Sequence, residues 1–189
     1  MGNEQELNDT DLLRKYECGD IESCETLILR HGAALFGYLL AMTGNQSVAE
    51  DLVQDTWLKV IRQTKKFKGG VFRAWLFRIA RNLMIDRSRR RTEILLGNDE
   101  QSEFLLETLS APDREPWEEL SGKDQEMAIR ACVDNLPEKQ REVFLLRTLA
   151  GMSFAEIAEL LNIPLNTALG RMHYAVTRLR QMLQPLIED

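Results

Sequence analysis

Two histidines, three cysteines and five prolines are all that this 189-residue chain holds of those residues, and each scarcity excludes something. His31 and His173 lie far apart and belong to no metal or triad motif, so neither a zinc site nor a nucleophilic triad has its parts. Cys18, Cys24 and Cys132 form no CxxC pair; scattered thiols suit a reducing compartment and inert side chains. No glycine-rich phosphate loop is present, and Gly69-Gly70 alone does not make one. The longest apolar run, Gly32–Met42, is too short to cross a bilayer, and the acidic N-terminus is unlike a signal peptide. No stretch alternates apolar and polar residues while being rich in Val, Ile and Thr, so strands are not expected. These absences predict a cytoplasmic, non-enzymatic, all-α protein with no metal, no cofactor and no membrane insertion.

What the chain does have is segregated charge. The net charge of −6 argues against a nucleic-acid partner only until the charges are placed. Residues 1–58 carry three Lys/Arg and eleven Asp/Glu, and residues 93–126 carry two and eleven. Between Lys59 and Thr92 stand twelve Lys/Arg and one acid, Asp86. Within that stretch Phe72, Trp75, Leu76, Ile79, Ala80 and Leu83 recur at helical spacing and form an apolar stripe. Arg73, Arg78, Arg81, Asn82, Arg87, Arg89, Arg90 and Arg91 lie mostly off it, on the face left for solvent. A solvated helix normally mixes signs; a one-signed face opposite a buried one is the footprint of a surface that meets phosphates.

The rest of the chain reads as helices around this one. Asp9 or Thr10 can cap a first helix carrying Leu12, Leu13 and Tyr16, and a second runs from about Ile21 to Met42. Ser47 and Glu50 have the spacing of a capping box for a helix over 48–63, burying Ala49, Leu52, Val53, Trp57, Val60 and Ile61. Its other side shows Glu50, Asp51, Gln54 and Asp55. Acids stabilise a helix N-terminus by about 0.3–1 kcal/mol each, which accounts for Glu50 and Asp51 but poorly for Asp55. An acidic patch that docks a basic partner helix explains them equally well. From Glu93 to about Gln125, two prolines, many acids and few apolar residues mark a flexible acidic linker, in which Phe104, Leu105, Leu106 and Leu109 form a short apolar turn.

Beyond the linker, residues 127–135 read as a helix with Ile129, Ala131 and Val133 available for burial. Pro137 suits the first turn of a helix over 138–149. Ser153 and Glu156 form a second capping box, opening a helix over 154–161 with Ile157, Ala158 and Leu161 inward. After the tight connection Asn162-Ile163-Pro164-Leu165, Asn166 can cap a last helix to Gln184. A short helix, a brief turn and a longer helix are the pattern of a helix-turn-helix, whose second helix enters the major groove.

Three stretches read together, AEDLVQDTWLKVIR, FRAWLFRIARNLMIDRSRRR and LPEKQREVFLLRTLAGMSFAEIAELLNIPLNTALGRMHYAVTRLRQML, resemble the extracytoplasmic-function (ECF) sigma factors of bacterial RNA polymerase. The resemblance implies two small helical domains. Residues 1–92 would be sigma region two, 93–126 the linker and 127–189 the region four helix-turn-helix. It implies three partners: core polymerase, promoter DNA and an anti-sigma factor. It gives Glu50, Asp51, Gln54 and Asp55 the docking role toward a coiled coil of the polymerase. Recognition and melting of the minus-ten element would fall to Lys65, Lys66, Phe67, Lys68, Arg73, Arg78, Arg81, Asn82, Asp86, Arg87, Arg89 and Arg90. Arginines there would hold single-strand phosphates, Phe67 would stack a base and Asn82 would read a base edge. Trp75, on the core stripe, is structural first.

Asn166, Thr167, Leu169, Gly170, Arg171, His173, Tyr174 and Arg178 would read the minus-thirty-five element. Here the chain departs from the family, placing Leu169 and Gly170 where Lys and Ser are common, and Tyr174 and Val176 where Arg is common. Each lost phosphate contact lowers the salt slope by about 0.9, so upstream binding is expected to be weaker or differently specified. The depleted helix also suits a sigma-like protein that titrates an anti-sigma factor without reading promoters. The intact basic stretch favours a working sigma factor.

Overall fold

A computed structural model describes residues 7–96 and 124–187. Most of the expected linker, with its apolar turn at Phe104–Leu109, lies outside the described residues. Among the described residues there are eight α-helices and no strand.

The N-terminal half is a bundle of α1 (Asp9–Glu17), α2 (Ile21–Thr43), α3 (Gln46–Gln63) and α4 (Phe72–Leu96), with a 3₁₀ turn at Thr64–Lys66. Helix α2 is its axis, packed on α1, α3 and α4. By length and composition α2 resembles a membrane span, but one face of it is core: Leu27, Leu35, Tyr38 and Leu39 are buried, while Ile21, Ile28 and Leu29 are exposed. From α4 the expected Phe72, Leu76, Ile79 and Ala80 enter that core, joined by Phe77. Leu83 and Trp75 are half-buried. Burying a side chain of this size contributes about 1.5–3 kcal/mol, so this shared stripe fixes how α4 lies on the bundle.

Several local expectations are corrected. Asn8, not Asp9 or Thr10, caps α1, its side chain accepting from Asp11 N. The capping box at Ser47 does not form: α3 starts two residues earlier, at Gln46, and Asn45 caps it, accepting from Val48 N at 3.0 Å. Two cap-forming residues, Asn45 and Ser47, stand two positions apart, and the one next to the Gly44 turn serves as the cap. Ile61 is exposed rather than buried.

The C-terminal half comprises α5 (Asp124–Asp134), α6 (Glu138–Thr148), α7 (Phe154–Leu161) and α8 (Leu165–Ile187). Helix reaches a few residues into the stretch read as linker from both sides. On α5 the buried residues are Cys132 and Val133, with Leu136 just after it, while Ile129 and Ala131 are exposed. The expected set 129, 131, 133 alternated, and a helix cannot put i and i+2 on one face. The second capping box forms as expected: Ser153 Oγ accepts from Glu156 N at 3.3 Å, and Ser153 N donates to Glu156 Oε2 at 2.6 Å. Ile157 and Ala158 point inward with Leu160, and Leu161 is half-buried. Asn162 ends α7 in the left-handed region, φ 54°, a conformation Asn tolerates better than other non-glycine residues. Helix α8 then begins at Leu165, so Asn166 sits in its first turn rather than capping it.

The halves pack on each other, α2 against α6 and α4 against α7. Gly37 is the close approach: a Cβ there would lie 3.3 Å from Leu149 Cδ1.

Candidate nucleic-acid interface

Helix α4 divides into two parts by what covers it. Toward its end Asp86, Arg87, Arg89, Arg90 and Arg91 are all exposed, and so is Asn82. Four arginines and one acid within six positions leave a strongly positive, accessible surface. The start of the helix differs from the solvent-facing expectation. Arg81 Nε donates to Glu142 Oε1 at 2.8 Å, and Arg78 Nη2 to Glu159 Oε1 at 2.8 Å. Arg73 lies against the turn before α7, so close that a Cβ on Gly151 would come 2.9 Å from Arg73 Nη1. Three predicted phosphate-binding arginines therefore face the C-terminal half.

Glu142 is buried and also accepts from Tyr38 Oη at 3.3 Å. Burial works against the charge on Arg81, yet its hydrogen bond and attraction to Glu142 leave its pKa above the ordinary value. Burial first, then the neighbouring Glu142, raise the Tyr38 hydroxyl well above the usual phenol range, so the phenol stays neutral beside the Arg81–Glu142 ion pair. No sequence signal pairs Tyr38 or Arg81 with Glu142 across 61 or more positions. These contacts were not foreseeable from periodicity.

The loop before α4 carries the aromatic candidate. Lys65, Lys66 and Lys68 are exposed, while Phe67 is half-buried, its ring centroid 5.3 Å from that of Trp75 and 6.0 Å from that of Phe72. His31 extends the cluster, 5.5 Å from Phe72. His31 Nε2 also meets Asp9 Oδ2 at 2.8 Å, and Asp9 Oδ1 accepts from Arg30 at 2.6 Å. Desolvation by burial lowers the His31 pKa, and the Asp9 carboxylate opposes it. Phe67 is thus partly exposed and braced by Trp75 and Phe72.

On α3, Glu50, Asp51, Gln54 and Asp55 are all exposed. Asp51 Oδ2 accepts from Arg87 at 3.1 Å, which joins the acidic patch to the basic end of α4. Glu50 accepts from Gln46.

The remaining candidates lie on α8. Ala168 and Ala175 are fully buried, Leu179 nearly so, and Met172 packs half-buried beside them. Asn166, Leu169, His173, Tyr174 and Arg178 are exposed; Thr167, Gly170 and Arg171 are half-buried. Helix α7 crosses behind, held by Ile157 and Ala158. Among the described residues no cluster of three or more His, Cys, Asp or Glu is placed to hold a metal ion.

A basic helix beside an acidic one, with a separate helix-turn-helix, defines a DNA-binding protein of modular, all-helical build. Residues 27–94 match the family described as Sigma-70 region 2, and residues 126–179 that described as Sigma-70, region 4. The chain is 33% identical over 159 residues to the ECF RNA polymerase sigma factor SigL of Mycobacterium tuberculosis, covering 82% of this chain and 86% of that protein. It is 28% identical over 189 residues to the ECF RNA polymerase sigma-E factor of Haemophilus influenzae, covering 97% and 99%. With the ECF RNA polymerase sigma factor SigE of Mycolicibacterium smegmatis it shares 32% identity over 164 residues, spanning 85% of this chain but 62% of that longer protein. Among solved structures, the sigma factor RpoE from Bartonella quintana, in complex with the anti-sigma factor NepR, superposes with a TM-score of 0.68 at 25% identity over 85% of this chain and 96% of that one. The chain belongs to the ECF sigma factors, in the sigma-70 family.

Proposed function

We propose that this chain directs core RNA polymerase to promoters, using residues 1–92 as region two, 93–126 as a connector and 127–189 as region four. The observation that carries this reading is the junction of α3 and α4. An exposed acidic patch suited to a basic partner helix stands beside an exposed row of arginines suited to phosphates, linked by Asp51 and Arg87. Glu50, Asp51, Gln54 and Asp55 dock the polymerase. Lys65, Lys66, Lys68, Arg87, Arg89 and Arg90 hold the backbone of the minus-ten non-template strand, and Arg73, Arg78 and Arg81 join them once released from their contacts with the C-terminal half. Single-strand binders combine such a cationic track with an aromatic platform, and each stacked base contributes about 1–3 kcal/mol. Phe67 is that platform, and its bracing by Trp75 and Phe72 limits the entropy lost when a base stacks on it. Asn82 reads a base edge, and Asp86 beside it repels misplaced phosphates.

Helix α8 occupies the upstream major groove through Asn166, Thr167, Leu169, Gly170, Arg171, His173, Tyr174 and Arg178. The chain makes and breaks no covalent bond in this scheme; strand opening draws on binding energy, and nucleotide addition belongs to the polymerase. An anti-sigma factor is its proposed regulator. Run-off transcription by purified core polymerase, with and without the chain, tests the reading.

A further inference from the structure

Gly170, half-buried, lies on the side of α8 opposite its buried stripe, and among the described residues nothing requires a glycine there. The inner stripe of the helix runs through Ala168, Met172, Ala175 and Leu179, so the opposite stripe is Asn166, Gly170, His173 and Thr177. A Cβ added to Gly170 would meet no atom within 4 Å, and the residue is not among the glycines of positive φ. Alanine would therefore fit and would hold the helix better, since glycine is among the poorest helix formers. A residue that weakens its own helix without serving the fold serves a partner, and the commonest such service is close approach of the backbone.

The neighbours of Gly170 say what is approached. Leu169 and Tyr174 flank it, 41% and 64% exposed, and cover no core of their own. Arg171 is half-buried on the edge, and Arg178 comes two turns later. The first turns of a recognition helix are those that meet base edges. Here those turns offer apolar groups and bare backbone beside the polar Asn166, Thr167 and Arg171. The apolar feature of the major groove is the 5-methyl of thymine.

We infer that Leu169 and Tyr174, on either side of the bare Gly170 backbone, read thymine 5-methyl groups in the upstream promoter element. This rests on the placement of α8 proposed above, and it makes the upstream element thymine-rich on one strand where the first turns of α8 lie. Gly170 lets the helix settle deep enough for both side chains to touch those methyls.

The test uses the full chain with core polymerase on promoter duplexes selected from a library randomised in the upstream element. Each selected thymine is then replaced by deoxyuridine, which lacks only the methyl. The native chain should lose about fourfold in promoter affinity per contacted methyl, the equivalent of the ~0.8 kcal/mol of one buried methylene. Leu169→Ala should no longer distinguish thymine from uracil at its position. Gly170→Ala should melt at a higher temperature than the native chain and yet bind the selected promoter more weakly, a pairing that a purely structural glycine does not give. Equal binding of thymine and uracil duplexes by the native chain would overturn the methyl readout. A Gly170→Ala chain that is more stable and binds as tightly would overturn the close approach. Absence of transcripts from every library member would instead strike the placement of α8 and the proposed function.

Discussion

Arg81 Nε and Glu142 Oε1 lie 2.8 Å apart, so an arginine of the proposed strand-holding face is gripped by a carboxylate from the other half of the chain. The same nitrogen cannot donate to Glu142 and to a DNA phosphate at once. Arg78 stands in the same relation to Glu159, at 2.8 Å. The two pairs differ in weight. Arg78 and Glu159 are 46% and 76% exposed, and such pairs contribute about 0–1 kcal/mol. Glu142 is 9% exposed and bridges to Tyr38, so its removal leaves buried partners unmatched.

Glu142→Gln should cost about 1 kcal/mol in denaturant unfolding, since bonds to charged groups contribute about 1.5–3 kcal/mol and the part-exposure of Arg81 screens some of that. The same variant should bind a single-stranded minus-ten oligonucleotide more tightly, because Arg81 is released. Unchanged stability together with unchanged oligonucleotide affinity would show that the contact does not hold in solution.

Asp55→Lys should weaken binding to core polymerase by about tenfold, roughly 1.4 kcal/mol, while melting stays within the small range typical of surface substitutions. The acid is exposed on α3 and lies beyond the first turn, where a helix dipole would explain it. Fluorescence anisotropy of labelled chain against core polymerase measures it. Wild-type affinity in the variant would remove Asp55 from the docking surface.

Arg87, Arg89 and Arg90 replaced together by Ala should reduce the dependence of single-strand affinity on salt by about 2 in the log–log slope, at ~0.7 per phosphate. Open-complex formation should fall more than core binding. Equal losses in both would indicate that the triple variant damages the fold or a different surface.

Much of this architecture was legible in the sequence because its helices are strongly marked. The apolar stripe of α4, the Ser153–Glu156 box and the break at Asn162 each follow from one local rule, and each was where the rule put it. The departures have separate local causes. Asn45 caps α3 in place of Ser47 because two cap-formers compete within one turn, and Ile129 is exposed because residues 129, 131 and 133 alternate and cannot all share one helix face. The grip of Glu142 on Arg81 and Tyr38 was out of reach for a different reason. It depends on how α6 lies against α2 and α4, and periodicity within single helices carries no information about that. Gly170, visible in the sequence as a costly residue, acquired meaning only when the space around it proved open.

Acid should destabilise the N-terminal bundle through His31. Burial holds its pKa below the ordinary 6.5, although Asp9 pulls the other way and Arg30 and Arg73 add to the lowering. The unfolded chain therefore takes up the proton first. Stability is fully present above about pH 6.5 and is lost as pH falls below that value, by at most ~1.4 kcal/mol per pH unit for one proton. Melting temperatures between about pH 7.5 and pH 5 should fall less steeply in His31→Gln than in the native chain. Parallel slopes would assign the acid sensitivity to other groups.

The most direct measurement is run-off transcription by purified core polymerase on a library of promoter duplexes, with this chain added or withheld. Transcripts that start at defined sites only when the chain is present, and that vanish when Arg87, Arg89 and Arg90 are replaced by Ala, are the predicted result. Identical transcripts with and without the chain, from a preparation shown to bind core polymerase, would contradict it.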